Sequence, residues 1–311
     1  MTHPVFDHAR KVLRPQHPSV TAFIQFAFRA FASLPLPLLH ALGWLLGWAT
    51  FMSSGRYRRR LLAHARQAGL PLSTALASVG ESGKMLAETP RMWLGRPTRL
   101  QWDGEDVVEA ALAQGSGVLF LTPHLGCFEV TAQALAQRFG DRMPITVLFR
   151  PSRQPWLREL VATARERPNL HTAPTTLAGV KQLIKALKSH QAVGLLPDQV
   201  PPEGQGVWAP FFGRNAYTMT LSARLALTPG VSLVLIWGER LSWGRGFRVH
   251  VRPCPVAGGL SKDPVAAATQ INQAMEALVR ECPAQYIWSY DRYKQPKAAA
   301  SPAVPPAPSA R

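Results

Sequence analysis

Four stretches of this chain are apolar residue after residue, with none of the in-and-out alternation of a half-exposed strand. They are Gly117–Thr122 (GVLFLT), Ile145–Phe149 (ITVLF), Val193–Leu196 (VGLL) and Val231–Trp237 (VSLVLIW). Short runs of this kind suit strands covered on both faces. A fifth strand-like run, Phe247–Val251 (FRVHV), follows them. Helical stripes lie among these runs. Trp156, Leu157, Leu160, Val161 and Ala164 form one, and Leu177, Val180, Ile184 and Leu187 form another. A third, Ile271, Met275, Leu278, Val279 and Cys282, ends before Pro283. Alternation of strand and helix predicts an α/β fold, a mainly parallel sheet flanked by helices on both sides.

Ahead of this pattern, no Asp, Glu, Lys or Arg occurs from Ala30 to Gly55. A membrane-spanning helix needs about 20 apolar residues, so the stretch is long enough to be a membrane-anchoring helix. Pro35 and Pro37 interrupt it and His40 sits inside it, which leaves a helix lying in the membrane interface as the alternative. A buried helix of a soluble core is a third reading. Arg56, Arg58, Arg59 and Arg60 follow at once, a basic collar that places the rest of the chain on the cytoplasmic side. The expected organisation is a polar segment (1–17), an anchor with its collar (18–60), an α/β domain (61–295) and a Pro/Ala-rich, disordered tail (296–311).

With 35 Lys and Arg against 18 Asp and Glu, the net charge is +17. Such a surface attracts polyanions, whether nucleic acid, anionic lipid or an acidic protein. No nucleic-acid-binding motif is present, and the apolar anchor argues for lipid. The cysteines, Cys127, Cys254 and Cys282, are widely spaced with no C-x-x-C, which points away from a disulfide-built protein.

Several catalytic signatures are absent. There is no G-x-S-x-G elbow and no H-E-x-x-H, and Gly80–Lys84 lacks the first glycine and the hydroxyl residue of a phosphate loop. What remains is Thr122-Pro-His-Leu-Gly-Cys-Phe-Glu129. His124 falls just beyond the end of a buried strand, where open α/β sheets form their ligand crevices. Gly126 permits a turn, and a helix starting there carries Glu129 in its first turn. A carboxylate so placed can hydrogen-bond one ring nitrogen, which leaves the other as a base for a hydroxyl. Taken alone, an H-x4-E pair is equally a structural histidine and a helix-start glutamate.

Its company is more specific. Phe149-Arg150-Pro151 ends the next strand, followed by Leu196-Pro-Asp198-Gln199. Then come Gly206-Val-Trp-Ala-Pro210-Phe211-Phe212-Gly213, Thr218 and finally Pro283-Ala-Gln285-Tyr286-Ile-Trp288-Ser-Tyr-Asp-Arg292-Tyr293. In this order and spacing the series resembles the lipid A biosynthesis acyltransferases, the lauroyl and myristoyl transferases, within the glycerolipid-acyltransferase-like superfamily. The resemblance implies an O-acyltransferase acting at the cytoplasmic face of a bacterial inner membrane. It would take an acyl chain from acyl carrier protein, an acidic co-substrate, to a hydroxyl of an anionic lipid A precursor, with no metal and no other cofactor. His124 would be the general base and Glu129 its orienting carboxylate. Arg150 would either stabilise an oxyanion or hold a phosphate, and Asp198 would either pair with Arg150 or fix a loop. Phe211, Phe212 and Gly213 would line an acyl channel, or the two rings would pack the core. Arg292 and Lys294 would contact phosphates or be solvated.

Overall fold

The computed structural model describes residues 18–95, 97–149, 167–256 and 259–298. The expected segments 1–17 and most of the tail (299–311), Arg150, and the helix over Trp156–Ala164 lie outside them.

Two helices open the described chain, α1 (Pro18–Ser33) and α2 (Leu36–Ser53), broken at Leu34 and Pro35 as the prolines predict. Then come α3 (Gly55–Gln67) and the long α4 (Leu72–Leu94). The remainder alternates: β1 (Leu100–Asp103), α5 (Glu105–Ala113), β2 (Gly117–Leu121), α6 (Phe128–Phe139), β3 (Ile145–Phe149), β4 (Leu170–Pro174), α7 (Leu177–Lys188) and β5 (Ala192–Leu195). A hairpin of β6 (Gly206–Phe211) and β7 (Arg214–Met219) follows, then α8 (Leu221–Ala226), β8 (Val231–Arg240), β9 (Phe247–Pro253) and α9 (Pro264–Glu281).

The main sheet runs β1-β9-β8-β2-β5-β3-β4, with every neighbouring pair parallel except β8 with β9. Its central strand shows why the sequence lacks alternation. Leu119 and Leu121 enter one core with Leu183, Leu187, Ile271 and Met275 of α7 and α9. Val118 and Phe120 enter the opposite core with Val108, Ala134 and Phe139 of α5 and α6. Each such side chain contributes roughly 1.5–3 kcal/mol on burial. β1 and β4 were not anticipated. They are the two sheet edges, where only Leu170 and Ala173 of the nine residues (LQWD and LHTAP) are buried, so they carry no continuous apolar signal.

The α2 helix lies along α4. Gly43 and Gly47 face Gly80 and Gly83, and a Cβ on Gly83 would overlap the Gly43 carbonyl oxygen. A buried ionic network pins the same contact. His40 Nε2 lies 2.9 Å from Glu88 Oε2, and Arg240 of β8 donates to both Glu88 oxygens at 2.6 and 2.8 Å and to Glu81 at 2.7 Å. Glu88 is 1% exposed. Burial would raise its carboxyl, but the Arg240 charge and hydrogen bonds, with His40, bring it down to about 2. So α2 is one helix long and apolar enough to cross a membrane, yet it buries a stripe of Leu36, Leu39, His40, Gly43, Gly47 and Phe51 inside the protein. On its other side Leu38, Leu42, Trp44, Leu45, Leu46 and Met52 are exposed.

Candidate functional site

The sheet register builds the site. Leu121 of β2 pairs with Leu195 of β5, and the strands run parallel. Both chains therefore leave the sheet at the same edge and level. Three residues beyond the first is His124, and three beyond the second is Asp198.

After β2 the chain is stitched down tightly. Gly126 has φ +58, and a Cβ there would overlap the Gly238 carbonyl oxygen, so glycine is required. Gly126 N–H donates to Gln285 O at 3.0 Å and Cys127 N–H donates to Gly238 O at 2.8 Å. α6 then begins at Phe128, with Glu129 in its first turn as the sequence predicts. The Phe128 ring lies 4.8 Å from the imidazole, centroid to centroid.

Asp198 grips His124 twice. The His124 backbone N–H donates to Oδ2 at 2.9 Å, and Nδ1 lies 2.7 Å from Oδ1. The carboxylate is 1% exposed and the histidine side chain 15%. Burial would raise the Asp198 carboxyl, but the charge of His124, both bonds from it and the more distant Arg292 hold it below the usual carboxylate range. An ionised acceptor at Nδ1 fixes the proton there and leaves the lone pair on Nε2. The Gln199 carboxamide nitrogen is 2.9 Å from that Nε2.

The carboxylate bonded to the ring at Nδ1 is Asp198. The reason is the strand order: β5 lies beside β2 and delivers Asp198 to the imidazole in register. The expected pairing of Asp198 with Arg150 falls on a residue outside those described. Gln199, next to Asp198 in the same turn, reaches the ring through the same adjacency of β2 and β5.

The remaining expectations divide. Phe211 and Phe212 are 2% and 6% exposed and pack with Trp288, Arg280 and Arg292. Phe212 and Gly213 form the two-residue turn between β6 and β7, with φ of +45° and +74°, as a type I′ hairpin turn requires. Arg292 faces inward. It is 3% exposed and donates to Tyr217 O and Thr218 Oγ1, both at 2.7 Å. Lys294 lies over the Tyr290 ring at 4.8 Å. The basic collar is partly spent inward: Arg58 caps Phe51 O and Arg60 pairs with Asp291, while Arg56 and Arg59 stay exposed. Among the described residues, no group of His, Cys, Asp and Glu converges as metal ligands would.

The sequence is similar to known proteins. Residues 74–295 match the family described as bacterial lipid A biosynthesis acyltransferase. The chain is 28% identical over 279 residues to the lipid A biosynthesis lauroyltransferase of Escherichia coli K12, covering 84% of this chain and 87% of that protein. It is 25% identical over 307 residues to the palmitoleoyltransferase of the same strain, covering 94% and 96%. A lipid A biosynthesis acyltransferase of Haemophilus influenzae is 24% identical over 282 residues, covering 86% and 88%.

Proposed function

Because the chain belongs to the bacterial lipid A biosynthesis acyltransferase family, we propose that this O-acyltransferase carries out a late secondary acylation of lipid A. It moves a fatty acyl group from acyl carrier protein to a hydroxyl on an acylated glucosamine disaccharide. The observation that carries the mechanism is the two-point grip of Asp198 on His124.

In that mechanism His124 Nε2 takes the proton of the acceptor hydroxyl as its oxygen attacks the thioester carbonyl carbon. Asp198 stabilises the imidazolium that forms, as the buried carboxylate of a serine-protease triad does. The carbon–sulfur bond then breaks, and the imidazolium returns its proton to the departing sulfur. Glu129 is half-buried in the first turn of α6, five residues after His124. On the resemblance alone, Arg150 stabilises the oxyanion or holds a phosphate.

The acceptor is a lipid, and the exposed side of α2 supports a membrane reading. A helix apolar all round belongs in an apolar environment, yet Leu42, Leu45 and Leu46 are 40%, 58% and 51% exposed. Trp243, 88% exposed, projects from the turn after β8, and that turn packs on Pro37 at the start of α2. We place this surface in the inner membrane interface, with the catalytic domain on the cytoplasmic face and Arg56 and Arg59 toward anionic head groups.

The test supplies acyl carrier protein thioester with a tetra-acylated lipid A precursor and follows the extra chain by mass spectrometry. His124→Ala, folded by circular dichroism, is expected to form no product. Product with lysophosphatidate but none with the lipid A precursor would overturn the acceptor assignment. Wild-type rates in His124→Ala would overturn the mechanism.

A further inference from the structure

We propose that Gln199 guards the catalytic nitrogen, occupying His124 Nε2 while no acceptor is bound and so keeping water from being activated against the acyl donor. The proposal rests on the acyl-transfer reading and concerns its choice of nucleophile.

Consecutive residues of one turn take both nitrogens of the ring. Asp198 holds Nδ1 at 2.7 Å and Gln199 meets Nε2 at 2.9 Å. With the proton fixed on Nδ1, the contact at Nε2 is an amide N–H donated to the lone pair that must later take the acceptor's proton. A base in that state cannot accept another proton. The ring is held at Nδ1 by Asp198, which is itself fixed to the backbone N–H of His124. Nor can the turn carrying Gln199 drift. Asp198 is buried on one side of it, and Val200 N–H donates to the Tyr290 hydroxyl at 2.9 Å on the other. What can move is the Gln199 side chain, which is long and only half-buried.

An acyltransferase of this kind faces a competing reaction. Water could give its proton to His124 Nε2 while its oxygen adds to the thioester carbonyl carbon. The carbon–sulfur bond would then break and the imidazolium would protonate the sulfur, leaving free fatty acid and carrier thiol. A lipid acceptor brings binding contacts along its whole length, and these can displace one neutral hydrogen bond. A single water brings no such contacts. The carboxamide therefore discriminates by what each nucleophile can spend on moving it, and once moved its N–H is free to bond the acceptor oxygen.

The experiment compares wild type, Gln199→Ala and Gln199→Met, the last keeping the volume without the donor. Carrier-thiol release without acceptor measures hydrolysis, and mass spectrometry of the acylated lipid measures transfer. In both variants hydrolysis is expected to rise at least tenfold relative to transfer. In the His124→Ala, Gln199→Met double variant the hydrolysis rate itself is expected to fall to the background of thioester without enzyme. An unchanged ratio of hydrolysis to transfer in both single variants would overturn the proposal, whether or not both rates fall together. Wild-type protein that transfers to no lipid hydroxyl at all would instead overturn the function on which it rests.

Discussion

Asp198→Asn tests the grip on His124 with almost no change of shape. The native carboxylate accepts two bonds, from the His124 backbone N–H at 2.9 Å and from Nδ1 at 2.7 Å. An amide offers one acceptor and one donor group, so one of the two bonds must be lost or reversed. The backbone N–H can only donate, whereas the imidazole can exchange tautomers. The amide oxygen therefore settles on the backbone N–H, its NH₂ faces Nδ1, and the ring proton moves to Nε2. The catalytic nitrogen then carries a proton and no lone pair. Forcing the productive tautomer leaves a buried donor unpaired, about 1–3 kcal/mol. Losing the carboxylate charge beside the imidazolium costs about 4 kcal/mol more at the effective dielectric of a partly buried pair. Part of each term is recovered by relaxation, so the expected fall in kcat is about 10³–10⁴-fold, as for the corresponding change in a serine-protease triad, with KM for both substrates within a few-fold. Initial rates by mass spectrometry and an unfolding midpoint close to wild type complete the assay. Glu129→Gln removes a charge but neither bond, and is expected to lower kcat by under about 10²-fold. A folded Asp198→Asn enzyme within tenfold of wild type, or a larger loss in Glu129→Gln, would refute the reasoning and return the orienting role to Glu129.

Three further outcomes follow from the packing of α2 and its surface. Glu88 titrates at about 2 in the folded protein against 4.5 for the free group, so its stabilisation is complete above pH 4.5 and is lost as pH falls toward 2. That difference is worth on the order of 3 kcal/mol. Chemical denaturation between pH 5 and 3 should show stability declining, with a shallower slope in Glu88→Gln, which leaves Arg240 with Glu81 as its carboxylate partner and itself costs about 1–3 kcal/mol. Gly83→Ala forces a methyl group against the Gly43 carbonyl and should lower stability by about 1–3 kcal/mol, read as a lower unfolding midpoint. Replacing exposed Leu42, Leu45 and Leu46 together with Gln should leave the fold intact and weaken flotation with anionic vesicles at least tenfold; unchanged flotation would remove α2 from the membrane surface.

The parts legible in the sequence are those whose signal is local. β2 reads as a strand because both of its faces are buried, and the break at Pro35 reads directly from proline's chemistry. His124 was placed by its position after a strand, and Glu129 by its position in a helix. The partnership of His124 with Asp198 was not legible, because 74 residues separate them and only the insertion of β5 between β2 and β3 unites them. The β6–β7 hairpin was hidden for another reason. A bulky residue at positive φ carries no turn signal, and Phe212 is held there by contacts from elsewhere: its N–H on Glu276 and its carbonyl on Gln67. Arg292 looked like a surface cation because nothing nearby in sequence neutralises it; Thr218, Asn272 and the Phe211 ring receive it from other elements. His40, a flaw in an apolar run, marked the ionic contact without naming its partners.

Those partners join the apolar helix to the catalytic loop by a short, rigid route. His40 of α2 meets Glu88, and Glu88 holds the side chain of Arg240 at the end of β8. The Gln285 carboxamide bonds both the N–H and the carbonyl of Arg240, at 2.9 and 3.0 Å, and the Gln285 backbone carbonyl accepts from Gly126, two residues after His124. Two residues before Arg240, Gly238 holds Cys127. Every link is a hydrogen bond among buried or half-buried groups, so α2 and the imidazole form one body. On the proposed membrane reading this has a geometric consequence. A lipid whose chains stay in the bilayer presents its hydroxyl at a fixed depth, and a helix free to move relative to the site would let His124 wander from that depth. Docking α2 through its own glycine and ion-pair stripe sets the height of the base above the membrane. The charged network on the inner face of an apolar helix then has a use that a free transmembrane anchor would not require.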